Sequence, residues 1–530
     1  MKKIIFFVIF VYFNTNLFSE SIEKRIEYQA LKLKYILETA YKNHLDTFNI
    51  EEACENAFRS LLTSLDKQSA YFSAKQLRDY QEKNTGRAEG VGFTIVPIND
   101  TALIASVQAN SPAEKAGIKK GDKLLFVDNQ AVSGKTQQEI QDLLAGDTAT
   151  YVNLIIKTSS NELKNLIIKR EIFHVSSIAS SFYLAKQKIA YIASSRFTTN
   201  VYEDLTAEID KNLKRGLEYL IIDLRGNPGG YLDQVVKVTA EFLPKNSKIV
   251  YTNSRNPEFT MDITTDKDGK YIKLPLIVLV DGQTASAAEI FSAALQDNDR
   301  AIIIGENTFG KGTLQRLWTM NDGSGFRLTV GEYYSPSGRR IDKEIIQKNI
   351  EKIKLDESLK LSLGEQAYSE LLKSFEETGG AARLPVYKTS KGRTIISKGG
   401  VLPDEIIKSD TLTLLSRVLM SRGILLEFTY NYSFMNSDKF TKEFNNFENF
   451  LINFNVDDNL YNDFVKFSLS KNIWNVDMAK IDEKIIRNLI KSYIALWKWD
   501  NFGYLAARNF EDKVFLLALS KLNNAKSLIN

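Results

Sequence analysis

Asp281 to Leu295 reads DGQTASAAEIFSAAL and follows the apolar run LPLIVLV from Leu274 to Val280. A branched apolar run that stops at Asp-Gly is a buried strand entering a turn. TASAAEIFSAALQD then has the small-residue start and the periodicity of a helix. Thr284 is positioned to cap that helix, and Ser286 falls in its first turn. The N–H of Ala287 has no intrahelical partner there, and the helix dipole favours an anion beside it. Strand–turn–helix junctions that display a serine are where many hydrolases keep a nucleophile, and histidine is its usual base. The plainer alternative is a serine that caps a core helix. The chain has only two histidines, His44 in a helical stretch and His174 in EIFHV, and neither adjoins a glycine-rich turn.

Outward from this junction, near-continuous apolar strands alternate with helices. TNVYEDLTAEIDKNLKRG is an amphipathic helix ending at Gly216, and LEYLIIDLRGNPGG is a strand running into a glycine-rich turn. YLDQVVKVTAEFL is a further helix, and RAIIIGENTFGKG is a strand with its loop. The pattern predicts an α/β sheet covered on at least one face. Adjacent strands of such a sheet bring consecutive loops to one edge, which puts Lys311 within reach of Ser286. A lysine acts as a base only when neutral, so burial must lower its pKa. Gly310 and Gly312 permit tight packing around Lys311, Phe309 is expected to exclude water, and Gln315 to aim the lysine nitrogen. Gly229 and Gly230 of RGNPGG let backbone N–H groups approach a substrate as a second oxyanion donor. GENTFGKGT is not a phosphate loop, because Lys311 is followed by Gly312 rather than Ser or Thr.

The 530 residues allow several domains. A formal charge of +4 without an Arg/Lys cluster excludes a nucleic-acid groove. Lys2 and Lys3 precede the uncharged run Ile4 to Phe13 and a polar turn, the order of a secretory signal peptide, placed at residues 1–19. Export to the periplasm or cell envelope is expected; an uncleaved leader would instead hold the protein at the inner membrane. The single cysteine, Cys54, rules out an internal disulfide and reads as a small core residue. Residues 20–87 read as a helical segment. From Ala88 short strands alternate with Gly, Asp and Ser-Pro turns, with two helical pieces, SPAEKAG and TQQEIQDLL, over residues 88–160. Glu344 to Thr389 is charged and glycine-punctuated, and SGRRI before it is echoed by KGRTI after it. This is read as an insertion, residues 344–389, whose flanks lie near each other. Residues 411–530 read as helical, with the stripe Phe447, Phe450, Leu451 and Phe454 as a helix-packing face.

The strand and helix order of residues 88–160 resembles a PDZ domain, with Gly90, Val91, Gly92 and Phe93 in its carboxylate-binding loop. Glycines there leave backbone N–H groups to hold a chain end, and the bound tail adds as a strand. VDGQTASAAEIFSAALQDNDRAIIIGENTFGKGTLQ resembles the signature of the C-terminal processing peptidases, or tail-specific proteases. SLDKQSAYF, DLRGNPGGYL, YYSPSGRRID and KGGVLPDE extend the likeness in the same order, from about Leu62 to Asp404.

The resemblance implies a crotonase-like (ClpP-like) α/β protease core over residues 161–343 with 390–410, carrying an inserted PDZ domain. It implies Ser286 as nucleophile, Lys311 as general base, Gln315 as the residue that positions the lysine, and an oxyanion hole from the N–H groups of Ala287 and Gly230. It implies protein substrates with exposed, unstructured C-termini, and neither cofactor nor metal. The insertion and the helical extension depart from the family's short members. Self-association, an adaptor and blocking of access are alternatives for the extension. Two rival readings remain: a catalytically silent PDZ scaffold that binds protein C-termini, and a crotonase-fold enzyme acting on acyl-CoA.

Overall fold

The computed structural model describes residues 21–98, 101–343, 386–397, 399–408, 410 and 412–529, with Gly364 and Ser369. The expected leader at 1–19 lies outside them, as does the insertion at 344–389 apart from residues 364, 369 and 386–389. None of the described helices is long and apolar enough to cross a membrane.

The chain divides into two compact units, and the described residues of the first are 21–77 with 315–329. Its helices are α1 (Ile22–Asn43), capped by Ser21, and α2 (Ile50–Leu65), capped by Asn49. α1 buries no residue, and Cys54 on α2 is half-buried rather than in a core. Strand β1 (Ala70–Phe72) pairs antiparallel with β18 (Gly325–Tyr334), matching Tyr71 to Phe326. Trp318, on β17 (Thr313–Thr319), stacks on Phe326 at 5.4 Å.

The second unit holds the sheets that build the site. Its central sheet runs β10 (Ile178–Leu184), β11 (Ile189–Ser194), β12 (Tyr219–Asp223), β15 (Leu276–Val280), β16 (Ile302–Gly305), β21 (Glu405–Ile406). All neighbours from β11 onward are parallel. Side chains alternate across a strand, so each strand feeds two cores. Leu220, Ile222, Leu276, Val278 and Val280 pack with α6 (Val201–Leu213), α7 (Leu232–Ala240) and α8 (Ala287–Asp297). Ile221, Ile277, Leu279 and Ile304 face the other way and are covered by Ala506, Val514, Phe515 and Ala518 of the C-terminal extension. The second helical layer of the sheet is therefore supplied by the extension, through the end of α14 (Val476–Phe510) and through α15 (Lys513–Ser520). The aromatic stripe packs as expected within the extension, where Phe450, Leu451 and Phe454 are buried.

The PDZ sheet runs β3 (Phe93–Ile98), β4 (Thr101–Val107), β5 (Lys123–Val127), β7 (Tyr151–Lys157), β8 (Leu163–Lys169). β8 pairs with β7 along its whole length, so this sheet continues past the boundary expected at residue 160. The reason is a long-range pairing: LKNLIIK reads as a strand in sequence, but nothing local names its partner. A two-stranded ribbon of β2 (Arg87–Gly90) and β9 (Glu171–His174) leads into and out of the domain. The chain before residue 344 and the chain after residue 389 lie side by side, with the Gly400 N–H donating to Ile341 O at 2.7 Å and the Ser397 hydroxyl to Arg340 O at 2.8 Å.

Candidate active site

Three loops at one edge of the central sheet converge because β12, β15 and β16 are adjacent and parallel. Ser286 is the N-cap of α8, one residue ahead of the first turn expected from sequence. Its φ of 57° and ψ of −118° lie outside the ordinary basins of a residue with a side chain. Such strain typically amounts to about 1–3 kcal/mol and is maintained only where the surroundings enforce it. Thr284 does not cap the helix. Its hydroxyl donates to Leu224 O at 2.8 Å and so ties the serine turn to the RGNPGG turn.

The enforcing group is Glu289, which sequence reasoning missed. Its carboxylate is wholly buried. Oε2 accepts the Ser286 N–H at 2.8 Å and the Lys311 N–H at 2.9 Å. Oε1 accepts the Gly310 N–H at 2.7 Å and the Thr308 hydroxyl at 2.5 Å. One carboxylate thus binds the backbones of both proposed catalytic residues. Burial pushes the Glu289 carboxyl above its usual range, although all four donors favour the charged form. The signal was present in the sequence, since Ser286-Ala-Ala-Glu289 has capping-box spacing.

The Lys311 loop is also held from below. The Phe309 N–H donates to Thr284 O at 3.0 Å, and the Lys343 N–H to Gly310 O at 3.0 Å. A side chain on Gly310 would meet Lys343, and one on Gly312 would meet the Asp342 backbone at 2.4 Å. The Lys311 side chain is half-buried. Phe309 does not shield it as expected, because its ring stands in solvent at 52% exposure. Its backbone, not its ring, joins the site.

The oxyanion side is similarly constrained. A Cβ on Gly229 would lie 2.8 Å from Ala287 N, and one on Gly230 would lie 1.9 Å from Phe197 O. Phe197 bonds on both sides of Gly230, donating to Gly229 O and accepting from Tyr231 N, each at 2.9 Å. The Ser286 N–H is taken by Glu289, whereas that of Ala287 makes no hydrogen bond among the described residues.

Tyr333 is a second residue that sequence reasoning missed. Its hydroxyl lies 3.1 Å from Ser286 Oγ, and burial raises its pKa so that the phenol stays protonated. No local signal marks it, because it arrives through β18 pairing with β13 (Lys248–Asn253). Ser286, Ala287, Gly230 and Lys311 are brought together in the second unit, while Gln315 on β17 belongs to the first, where it is half-buried. His174 sits on the PDZ ribbon, with Nε2 3.1 Å from Asp204 Oδ1.

In the PDZ domain Gly90 and Gly92 have φ of 134° and 89°, and a Cβ on Gly92 would collide with Ser111. Val91 is buried and its carbonyl accepts the Ala113 N–H at 2.8 Å. Phe93 opens β3, which is an edge strand, and Ile140 and Leu144 of α5 (Gln137–Leu144) share its core.

A serine on a strained turn at a parallel-sheet edge, joined to a lysine loop, defines a serine-hydrolase type of site. The family model "Peptidase family S41" matches residues 188–352, a PDZ domain model matches 103–158, and a family of unknown function (DUF8443) matches 415–500. The carboxy-terminal-processing protease of Bartonella bacilliformis is 32% identical over 64% of this chain and 80% of its own length. The carboxy-terminal processing protease CtpA of Bacillus subtilis is 32% identical over 60% of this chain and 68% of its own. A solved photosystem II D1 C-terminal processing protease is 26% identical over 58% of this chain and 83% of its own, with a TM-score of 0.33. The chain belongs to peptidase family S41, among the carboxy-terminal processing proteases.

Proposed function

We propose that this serine protease is exported, that it recognises the C-terminal tails of envelope proteins through its PDZ domain, and that it cuts them with Ser286 and Lys311. The observation that carries the assignment is the shared Glu289 carboxylate, which accepts the backbone N–H groups of Ser286 and Lys311 together. The basic and apolar leader around Lys2, Lys3 and Ile4 to Phe13 supports export, and if it stays attached it holds the enzyme at the inner membrane.

Neutral Lys311 takes the proton of Ser286, and Oγ forms a bond to the peptide carbonyl carbon. The N–H groups of Ala287 and Gly230 receive the developing oxyanion. Protonated Lys311 gives its proton to the leaving amine as the C–N bond breaks. Water then attacks the acyl ester and loses a proton to Lys311, which returns it to Ser286 Oγ as the acyl C–O bond breaks and the acid product leaves. The substrate tail adds as a strand to β3, its carboxylate on the loop Gly90 to Phe93. Purified protein should cleave an unfolded protein that ends in an apolar tail, and the Ser286→Ala and Lys311→Ala variants should bind that tail without cutting it. Equal cutting by all three would remove the dyad. Binding without cutting by all three would mark a scaffold.

A further inference from the structure

The C-terminal extension does more than cover the sheet. Arg225 is the second residue of the turn LRGNPGG, and its guanidinium is largely buried. Nε and Nη2 engage the Asp223 carboxylate at 3.0 and 2.7 Å, and Nη1 engages Asp512 of the extension. The two carboxylates outweigh the cost of burial and keep the guanidinium charged. Asp512 is itself fixed, because its Oδ1 caps α15 by accepting the Val514 N–H at 2.7 Å. A parallel link runs from Asn509, whose amide donates to the Tyr191 hydroxyl at 2.6 Å; that hydroxyl donates to Asp223 at 2.6 Å.

From Arg225 the network reaches the reaction centre within a few residues. The Gly226 N–H donates to Asp281 at 3.0 Å, at the start of the serine turn. Asn227 O accepts the Ala285 N–H at 3.0 Å, and Asn227 Oδ1 accepts the Gly229 N–H at 2.9 Å. The turn that presents Gly230 is therefore fixed on one side by the serine turn and on the other by a carboxylate of the extension. An oxyanion donor acts through its placement, and an error of about 1 Å can cost about a hundredfold in rate.

We propose that Asp512 is a positioning residue for the oxyanion hole, acting through Arg225, so that the extension is part of the catalytic apparatus. This rests on the assignment of Ala287 and Gly230 as oxyanion donors. The test uses the full chain, an unfolded carboxymethylated protein with an apolar C-terminal tail, and four variants. Asp512→Asn keeps a good helix cap but removes the charge that holds Arg225. Its kcat is expected to fall about ten- to a hundredfold with KM within about twofold and little change in melting temperature. Asp512→Ala should lose the same activity and melt lower. Phe464→Ala loosens the aromatic core within the extension, away from Arg225, Asp512 and Tyr191, and should melt lower with wild-type kcat below its transition. Wild-type kcat in Asp512→Asn, or a loss of kcat in Phe464→Ala equal to that in Asp512→Asn, would overturn the proposal. Cleavage by Ser286→Ala in the same assay would instead overturn the underlying site assignment.

Discussion

Glutamine at position 289 preserves the shape of the side chain and removes one acceptor atom. In the wild-type site four donors converge on the carboxylate: Ser286 N at 2.8 Å, Lys311 N at 2.9 Å, Gly310 N at 2.7 Å and the Thr308 hydroxyl at 2.5 Å. An amide has one oxygen, so two of these donors must face an NH2 group in a site with no solvent access. Hydrogen bonds to a charged partner are each worth about 1.5–3 kcal/mol, so the gross loss is about 3–6 kcal/mol. Relief from burying a charge offsets part of it, and a net destabilisation of about 2–4 kcal/mol is expected. For a chain of 530 residues that lowers the melting temperature by roughly 2–4 °C. With the NH2 group in place of Oε2 the bonds from the Ser286 and Lys311 N–H groups are both lost, and with it in place of Oε1 the lysine loop loses its bonds from Gly310 and Thr308. The kcat of Glu289→Gln should fall at least about a hundredfold while KM changes little. Steady-state cleavage and thermal unfolding on the same preparation read both effects. Wild-type kcat together with wild-type melting would refute the reasoning.

Gly230→Ala would bring a methyl group onto Phe197 O, so cleavage should be lost while tail binding, read by fluorescence anisotropy, persists; retained cleavage would contradict the assignment. Tyr333→Phe removes the hydroxyl 3.1 Å from Ser286 Oγ and should lower kcat by about three- to tenfold, as one hydrogen bond is worth about 1 kcal/mol; an unchanged rate would deny it a role. Asp299 should give an acid-side signature. Burial raises its pKa, but the bond from Arg393 and the Lys391 N–H outweigh this and hold it below its usual range. A depressed folded pKa stabilises the fold above the unfolded value of about 4, and this contribution is lost as pH falls through the folded value. Melting temperature against pH should therefore decline toward acid less steeply in Asp299→Asn; parallel curves would contradict this.

The fold was readable where one strand or helix carries its own signal. LPLIVLV was legible as a buried strand because all five residues of β15 are buried, and the turn and helix after it followed from Asp281, Gly282 and the small residues. Glu289 was legible in principle from its spacing to Ser286, but its bonds to Thr308, Gly310 and Lys311 depend on how two loops meet. Tyr333 and the final PDZ strand, β8, depend on pairings between distant segments. Phe309 misled because an aromatic residue in a glycine loop reads as a shield, whereas the loop is fixed by backbone bonds and leaves the ring outside. In the extension, an apolar stripe showed that a helix must pack. It did not show that Phe515 would pack on Ile277 and Leu279 rather than on another helix.

Treatment with a serine-reactive fluorophosphonate, followed by peptide mapping, tests the central assignment most directly. The account predicts one adduct, on Ser286, forming much more slowly in Lys311→Ala at the same pH. An adduct on another residue that abolishes cleavage, or unchanged labelling in Lys311→Ala, would contradict it.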